Sequence, residues 1–172
     1  MSNRRLNRSF LAIPSLLILL TLAVDITTKY LTQQFLPQMN HYYWYPYGGI
    51  PVFQNFLGIE FSISYATNKG AAWGAFAQYQ FLLLLLRIGL IGALMIYLLF
   101  TKKTALQQCS LSLILAGAVG NVIDYFVYGH VVDMLHFVLY GYDFPVFNVA
   151  DTAIFLGVCG YFLFSCKEKQ LA

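Results

Sequence analysis

Charge is what this sequence has least of. Asp, Glu, Lys and Arg make up 10% of its 172 residues, where a soluble domain carries about 25%. The shortage excludes a globule with water on every side, and no basic patch is offered to nucleic acid. Cysteine is sparse as well. Cys109, Cys159 and Cys166 match no zinc or redox spacing and read as buried, unpaired thiols. His130 and His136 stand six apart with no third ligand at metal spacing, so neither metal nor cofactor is expected. No Ser or Cys sits in a nucleophile motif, and no internal repeat or low-complexity tract is present.

Apolar runs are what the chain has in quantity. Hydrophobic residues form 59% of it and its mean hydropathy is +0.66. Four runs approach the ~20 residues that a membrane helix needs: about 10–30, 81–100, 106–126 and 149–166. The third is weakened by Gln107, Gln108, Asn121 and Asp124. The first is too long for the apolar region of a cleavable signal peptide, and no A-x-A-like site follows it. The length fits a single domain, residues 1–172, bounded by lipid rather than water.

The few cations orient the spans. Arg4, Arg5 and Arg8 precede the first, Lys102 and Lys103 lie between the second and third, and Lys167 and Lys169 follow the fourth. With four spans all three segments fall on one side, which the positive-inside rule makes the cytoplasm. Both termini are then cytoplasmic, and the connections 31–80 and 127–148 face outward. In the first connection, Ile59, Phe61, Ile63 and Tyr65 alternate with Glu60, Ser62, Ser64 and Ala66, the period of a half-buried strand. Ahead of it runs the aromatic stretch His41 to Tyr47, and Trp and Tyr favour the membrane–water interface. The expected fold is an all-α four-helix membrane bundle with a small β module at about 38–76 on the outer leaflet.

Ionisable residues in a membrane span are costly and are functional candidates. Asp25 lies late in the first span with Lys29 four residues on, so they share a helix face as an ion pair. Asn121 and Asp124 lie late in the outward-running third span, Asp133 follows it, and Asp151 lies early in the inward-running fourth. Four of the seven acidic residues thus share the outer boundary. Two neighbouring carboxylates cannot both ionise cheaply; one keeps a proton while the other acts as base. Such a pair can activate water and protonate a departing amine. A small transporter or proton conductor would spread acids through the bilayer depth, and a structural subunit would leave them without a purpose. Arg87, inside the second span, either snorkels or pairs within the bundle.

These residues resemble a known family. Asp25-Ile-Thr-Thr-Lys29 is similar to D-x-x-[ST]-K, and Thr67-Asn68-Lys69-Gly70-Ala71-Ala72-Trp73-Gly74 to a segment containing N-x-G-A-A-F. Gly117 to Asp124 followed by Gly129-His-Val-Val132-Asp133 is similar to G-x-x-G-N-x-x-D-R-x-x-x-G-x-V-x-D-F, and Phe147-Asn148-Val-Ala150-Asp151 to F-N-x-A-D-[ST]. The order and coverage identify the chain as resembling the lipoprotein signal peptidases, or signal peptidase II. The G-x-G-D signature of presenilin-like and prepilin peptidases is absent.

The resemblance implies an aspartyl endopeptidase of the bacterial inner membrane, with an outer β-cradle and Asp133 and Asp151 as catalytic pair. It would release the signal peptide of a prolipoprotein just before a cysteine carrying diacylglycerol. Asp25, Lys29, Asn68, Gly70, Asn121, Asp124, Asn148 and Ala150 match positions that shape the site or hold substrate. Globomycin-type inhibition, a phospholipid surround and a monomeric state are the remaining expectations. Met134 and Trp73 replace Phe with similar bulk. Tyr125 stands where the family has Arg, leaving Asp124 in need of a cation; Lys69 is either that cation or a solvated loop lysine.

Overall fold

The computed structural model describes residues 8–42, 44–70, 75–101 and 103–171, with side chains from 12 to 166. Four long apolar helices dominate it: α1 (Arg8–Phe35), α2 (Gln80–Phe100), α3 (Ala105–Tyr128) and α4 (Val149–Leu171). Segments of all four are long and apolar enough to cross a membrane. α1 outruns the apolar stretch read from sequence because the polar residues Thr32, Gln33 and Gln34 continue the helix. Asp25 therefore lies further inside α1 than its place late in the apolar run indicated.

α3 is the organising helix, packed against each of the other three. Small residues set its distance from α4. A Cβ on Gly117 would come within 2.3 Å of the Ala150 carbonyl oxygen, and one on Gly157 within 2.5 Å of that of Ser110. α2 is the outlier, with Leu84 its one buried residue among those described. Its large side chains, like those of α1, point outward, as expected where the solvent is hydrocarbon. Cys159 and Cys166 share that outward surface and Cys109 is half-buried; all three are free, but they are not the buried thiols expected.

The sheet has four antiparallel strands in the order β1-β2-β3-β4. β1 (Ile50–Phe56) and β2 (Ile59–Asn68) fall inside the expected module. β3 (Val131–Leu139) and β4 (Tyr142–Asp143) come from the connection 127–148, and no local pattern pairs it with the first connection. The alternation in β2 is real, but its buried members are Ser62 and Ser64. Ser62 Oγ lies 3.1 Å from Ser64 Oγ and 3.4 Å from His136 Nδ1, and buried hydroxyls with partners are tolerated.

Two junctions aim the sheet at the helices. Gly129 ends α3 with φ +74°, a left-handed conformation that glycine adopts at little cost, and turns the chain into β3. Phe147 then bonds back to β3: Met134 N and Leu135 N donate to its carbonyl at 3.0 and 2.8 Å, and its own N donates to Leu135 O at 3.1 Å. The start of α4 is thereby fixed beside Asp133.

Candidate active site

Asn148 caps α4. Its Oδ1 accepts from Asp151 N at 2.8 Å, while Asp151 Oδ2 accepts from Asn148 N at 3.4 Å. This reciprocal arrangement is a capping box built from Asn and Asp, and it fixes the Asp151 carboxylate at the first turn of α4. There the free backbone N–H groups favour negative charge. Asn148 Nδ2 is shared among Asp133 Oδ1 at 2.7 Å, Asn121 Oδ1 at 3.2 Å and Val132 O at 3.3 Å. Asn121 Nδ2 donates to Asp151 Oδ1 at 2.8 Å. Asn121 and Asn148 together hold both aspartates.

Asp133 is 3% exposed. Burial, then the charge of Asp151, push its pKa up to about 7, against hydrogen bonds from Asn68 and Asn148. Near neutral pH it can carry a proton that an ordinary carboxyl would have lost. Asp133 opens onto a cavity of about 510 Å³ bordered by Thr67, His136 and Asp143. Asp151 opens onto a neighbouring one of about 400 Å³ bordered by Asn121, Arg87 and Phe155. Asn68 and the stretch Phe144 to Val146 line both. Asn68 also accepts from Gly70 N at 2.9 Å. Ala71, Ala72, Trp73 and Gly74 of the same motif lie outside the described residues.

Behind the dyad lies a buried ion cluster. Lys29 Nζ is 2.7 Å from Asp25 Oδ2, 2.8 Å from Asp124 Oδ2 and 3.1 Å from Asn121 Oδ1, with its side chain fully buried. The expected Asp25–Lys29 pair is present, and Asp124 joins it. Asp25 Oδ1 also accepts from Ala150 N, and Asp124 Oδ2 from Val132 N. One carboxylate thus anchors the start of α4 and the other the start of β3, the two segments that carry the dyad. Because Lys29 supplies the cation, Asp124 does not depend on Lys69, which is exposed. Tyr125 packs edge-on against Phe126.

A third group, which the sequence marks only as a poor metal ligand, lies beside the dyad. His136, 1% exposed, lies 3.2 Å from Asp143 Oδ1 and among the rings of Tyr45 and Tyr47. Burial holds its pKa below the usual range, with Asp143 opposing. Its signal in sequence is weak, a histidine three residues after Asp133 that, with His130, lacks a third ligand at metal spacing.

A family model described as "Signal peptidase (SPase) II" matches residues 17–167. The chain belongs to the signal peptidase II family. It is 48% identical over 100 residues to the lipoprotein signal peptidase of Chlamydia pneumoniae, a stretch covering 57% of this chain and 60% of that protein. The lipoprotein signal peptidase of Clostridium tetani is 41% identical over 110 residues, 63% of this chain and 70% of its own. Two solved structures titled as bacterial membrane enzymes, determined by the in meso method, are similar throughout. The first, at 2.3 Å resolution, has TM-score 0.74 and 27% identity, covering 98% of this chain and 94% of its own. The second, at 1.9 Å, has TM-score 0.67 and 27% identity, covering 95% and 96%. Membership of this family supports a protease working on lipoproteins in a membrane and does not favour a transporter.

Proposed function

We propose that this chain is an aspartyl endopeptidase that releases the signal peptide from diacylglyceryl-modified prolipoproteins, cutting just before the lipidated cysteine. The observation that carries the reading is the Asn148-centred pairing of Asp133 with Asp151 on the walls of two adjoining cavities. Asp133 holds the proton. Asp151 accepts one from a water molecule as the water oxygen bonds to the scissile carbonyl carbon. Asp133 then protonates the departing nitrogen as the carbon–nitrogen bond breaks. The acceptor and donor roles reverse when the site resets.

Placement in the membrane follows from charge. Seven of the ten Lys and Arg residues lie toward the two chain ends and in the α2–α3 connection, so these face the cytoplasm of a multi-pass inner-membrane protein. The four helices then form the spanning bundle, and the sheet with the dyad lies at the outer face. A lipidated signal peptide is itself a membrane helix, and its scissile bond emerges at that depth. Asn68 at the end of β2 and Gly70 just beyond it cover the dyad, while Asp25, Lys29 and Asp124 fix its two supporting segments. The acids of the cluster and dyad adjoin one another, which does not favour the proton-conducting alternative.

The test is incubation of the purified protein in detergent with a diacylglyceryl-modified prolipoprotein. Signal-peptide release that globomycin blocks is expected. An intact, folded protein that leaves this substrate uncut rejects the reading.

A further inference from the structure

Arg87 has no role in the dyad, yet it stands in α2 amid Leu82 to Leu86 and Ile88. A guanidinium in a membrane helix is costly and persists where it has partners. One nitrogen, Nη2, donates to Gly70 O at 2.8 Å. The group has five N–H donors in a flat fork, so among the described residues donors remain for a ligand. Arg87 also borders two cavities at once. One is the 400 Å³ cavity that holds Asp151. The other, about 350 Å³, is walled by Leu90, Ile91, Leu94, Ile114, Ala118 and Ile154. Asn121 is the other residue common to both.

The second cavity is an apolar slot between membrane helices with its polar groups gathered at one end. It is too small to enclose a helix, which is about 10 Å across with side chains, and it suits an alkyl chain. A transmembrane helix also satisfies its own carbonyls and offers Arg87 few acceptors. An acyl ester has the complementary layout, an apolar tail joined directly to a carbonyl group whose oxygen accepts hydrogen bonds. We propose that Arg87 is a substrate-positioning residue whose guanidinium donates to an ester carbonyl of the diacylglyceryl group while an acyl chain lies in the slot. Its bond to Gly70 then couples the seated lipid to the segment that carries Asn68 over the dyad. This inference rests on the lipoprotein-peptidase reading.

The experiment compares a prolipoprotein bearing the ester-linked diacylglyceryl group with the same protein bearing an ether-linked dialkylglyceryl group, which lacks the carbonyls. Both are cleaved in phospholipid-free detergent by the wild type, Arg87→Met and Arg87→Lys. A hydrogen bond to a charged group makes a difference of about tenfold. The wild type should show a KM about tenfold lower for the ester, and Arg87→Met should treat the two alike. Arg87→Lys, which keeps a donor, should retain part of the preference. Any loss of kcat from the missing Gly70 bond affects both substrates equally and leaves the ratio readable. A wild type indifferent to the ester overturns the proposal, including the case where a bilayer lipid fills the slot. So does an ester preference that survives in Arg87→Met. A wild type that cuts neither substrate rejects the peptidase reading itself, a separate result.

Discussion

Asn148 Nδ2 donates to Asp133 Oδ1 at 2.7 Å, and this bond does two things at once. It fixes the carboxyl beside the start of α4, and it moderates the rise in the Asp133 pKa. Asn148→Ala removes both effects along with the cap of α4. The expected result is a kcat lower by about 100-fold, the scale of losing one preorganised donor. Loss of the cap adds a fall in stability of about 1 kcal/mol. The alkaline limb of the pH–rate profile should shift upward, because the remaining influences on Asp133 all but Asn68 and Lys29 raise its pKa. A limb that stays in place separates Asn148 from Asp133.

The raised pKa of Asp133 has a stability consequence. Its ordinary value is 3.8, and in the fold it is about 7. The folded chain therefore holds a proton that the unfolded chain has lost across that window, and stability falls as pH rises through it. The full difference is on the order of 4 kcal/mol. Asp133→Asn keeps the shape without the charge. At pH 8 its thermal midpoint in detergent should equal or exceed that of the wild type, with the advantage shrinking toward pH 4. A midpoint lower than wild type at pH 8 contradicts the assignment.

Lys29 and Lys69 make a contrasting pair. Lys29→Met strands the Asp25 and Asp124 carboxylates in a buried site, and breaking a buried pair costs about 3–5 kcal/mol. Yield and thermal midpoint should drop at least as clearly as turnover. Lys69→Ala changes an exposed side chain and should move stability by less than about 0.5 kcal/mol. A Lys29→Met protein of unchanged stability but no turnover would instead place Lys29 in the chemistry.

Glycine spacing along α3 and α2 gives a packing test. A methyl at Gly117 meets Ala150 O at 2.3 Å, whereas one at Gly92 meets nothing within 4 Å. Gly117→Ala should lower the thermal midpoint by pushing α4 and the dyad apart. Gly92→Ala should be neutral or slightly stabilising, since Ala is the better helix former. Equal tolerance of both substitutions contradicts the close α3–α4 packing.

What could be read in the sequence were features written locally. The four helices were visible as apolar runs, and the Asp25–Lys29 pair as a four-residue spacing. β2 was visible as an alternation. β3 was not, because Val131, Val132, Asp133 and Met134 are buried in succession and erase the period of two. The Lys29–Asp124 contact joins residues far apart in the chain, so nothing local announced it. Lys69, by contrast, lies within a matched motif and so stands out in the sequence as a cation for Asp124. The aspartates themselves stood out since four carboxyls in a charge-poor chain are conspicuous; the asparagines that join them were legible through the family resemblance, while their geometry needed the fold.

In the proposed mechanism Asp133 and Asp151 share the work of acid and base. The most direct measurement is the rate of signal-peptide release from a diacylglyceryl-modified prolipoprotein by Asp133→Asn and Asp151→Asn, each checked for folding by its thermal midpoint. An amide keeps the shape but cannot exchange the proton, so each folded variant should lose about 10³-fold or more of the wild-type rate. A folded Asp133→Asn or Asp151→Asn protein that cleaves within about tenfold of wild type contradicts the account.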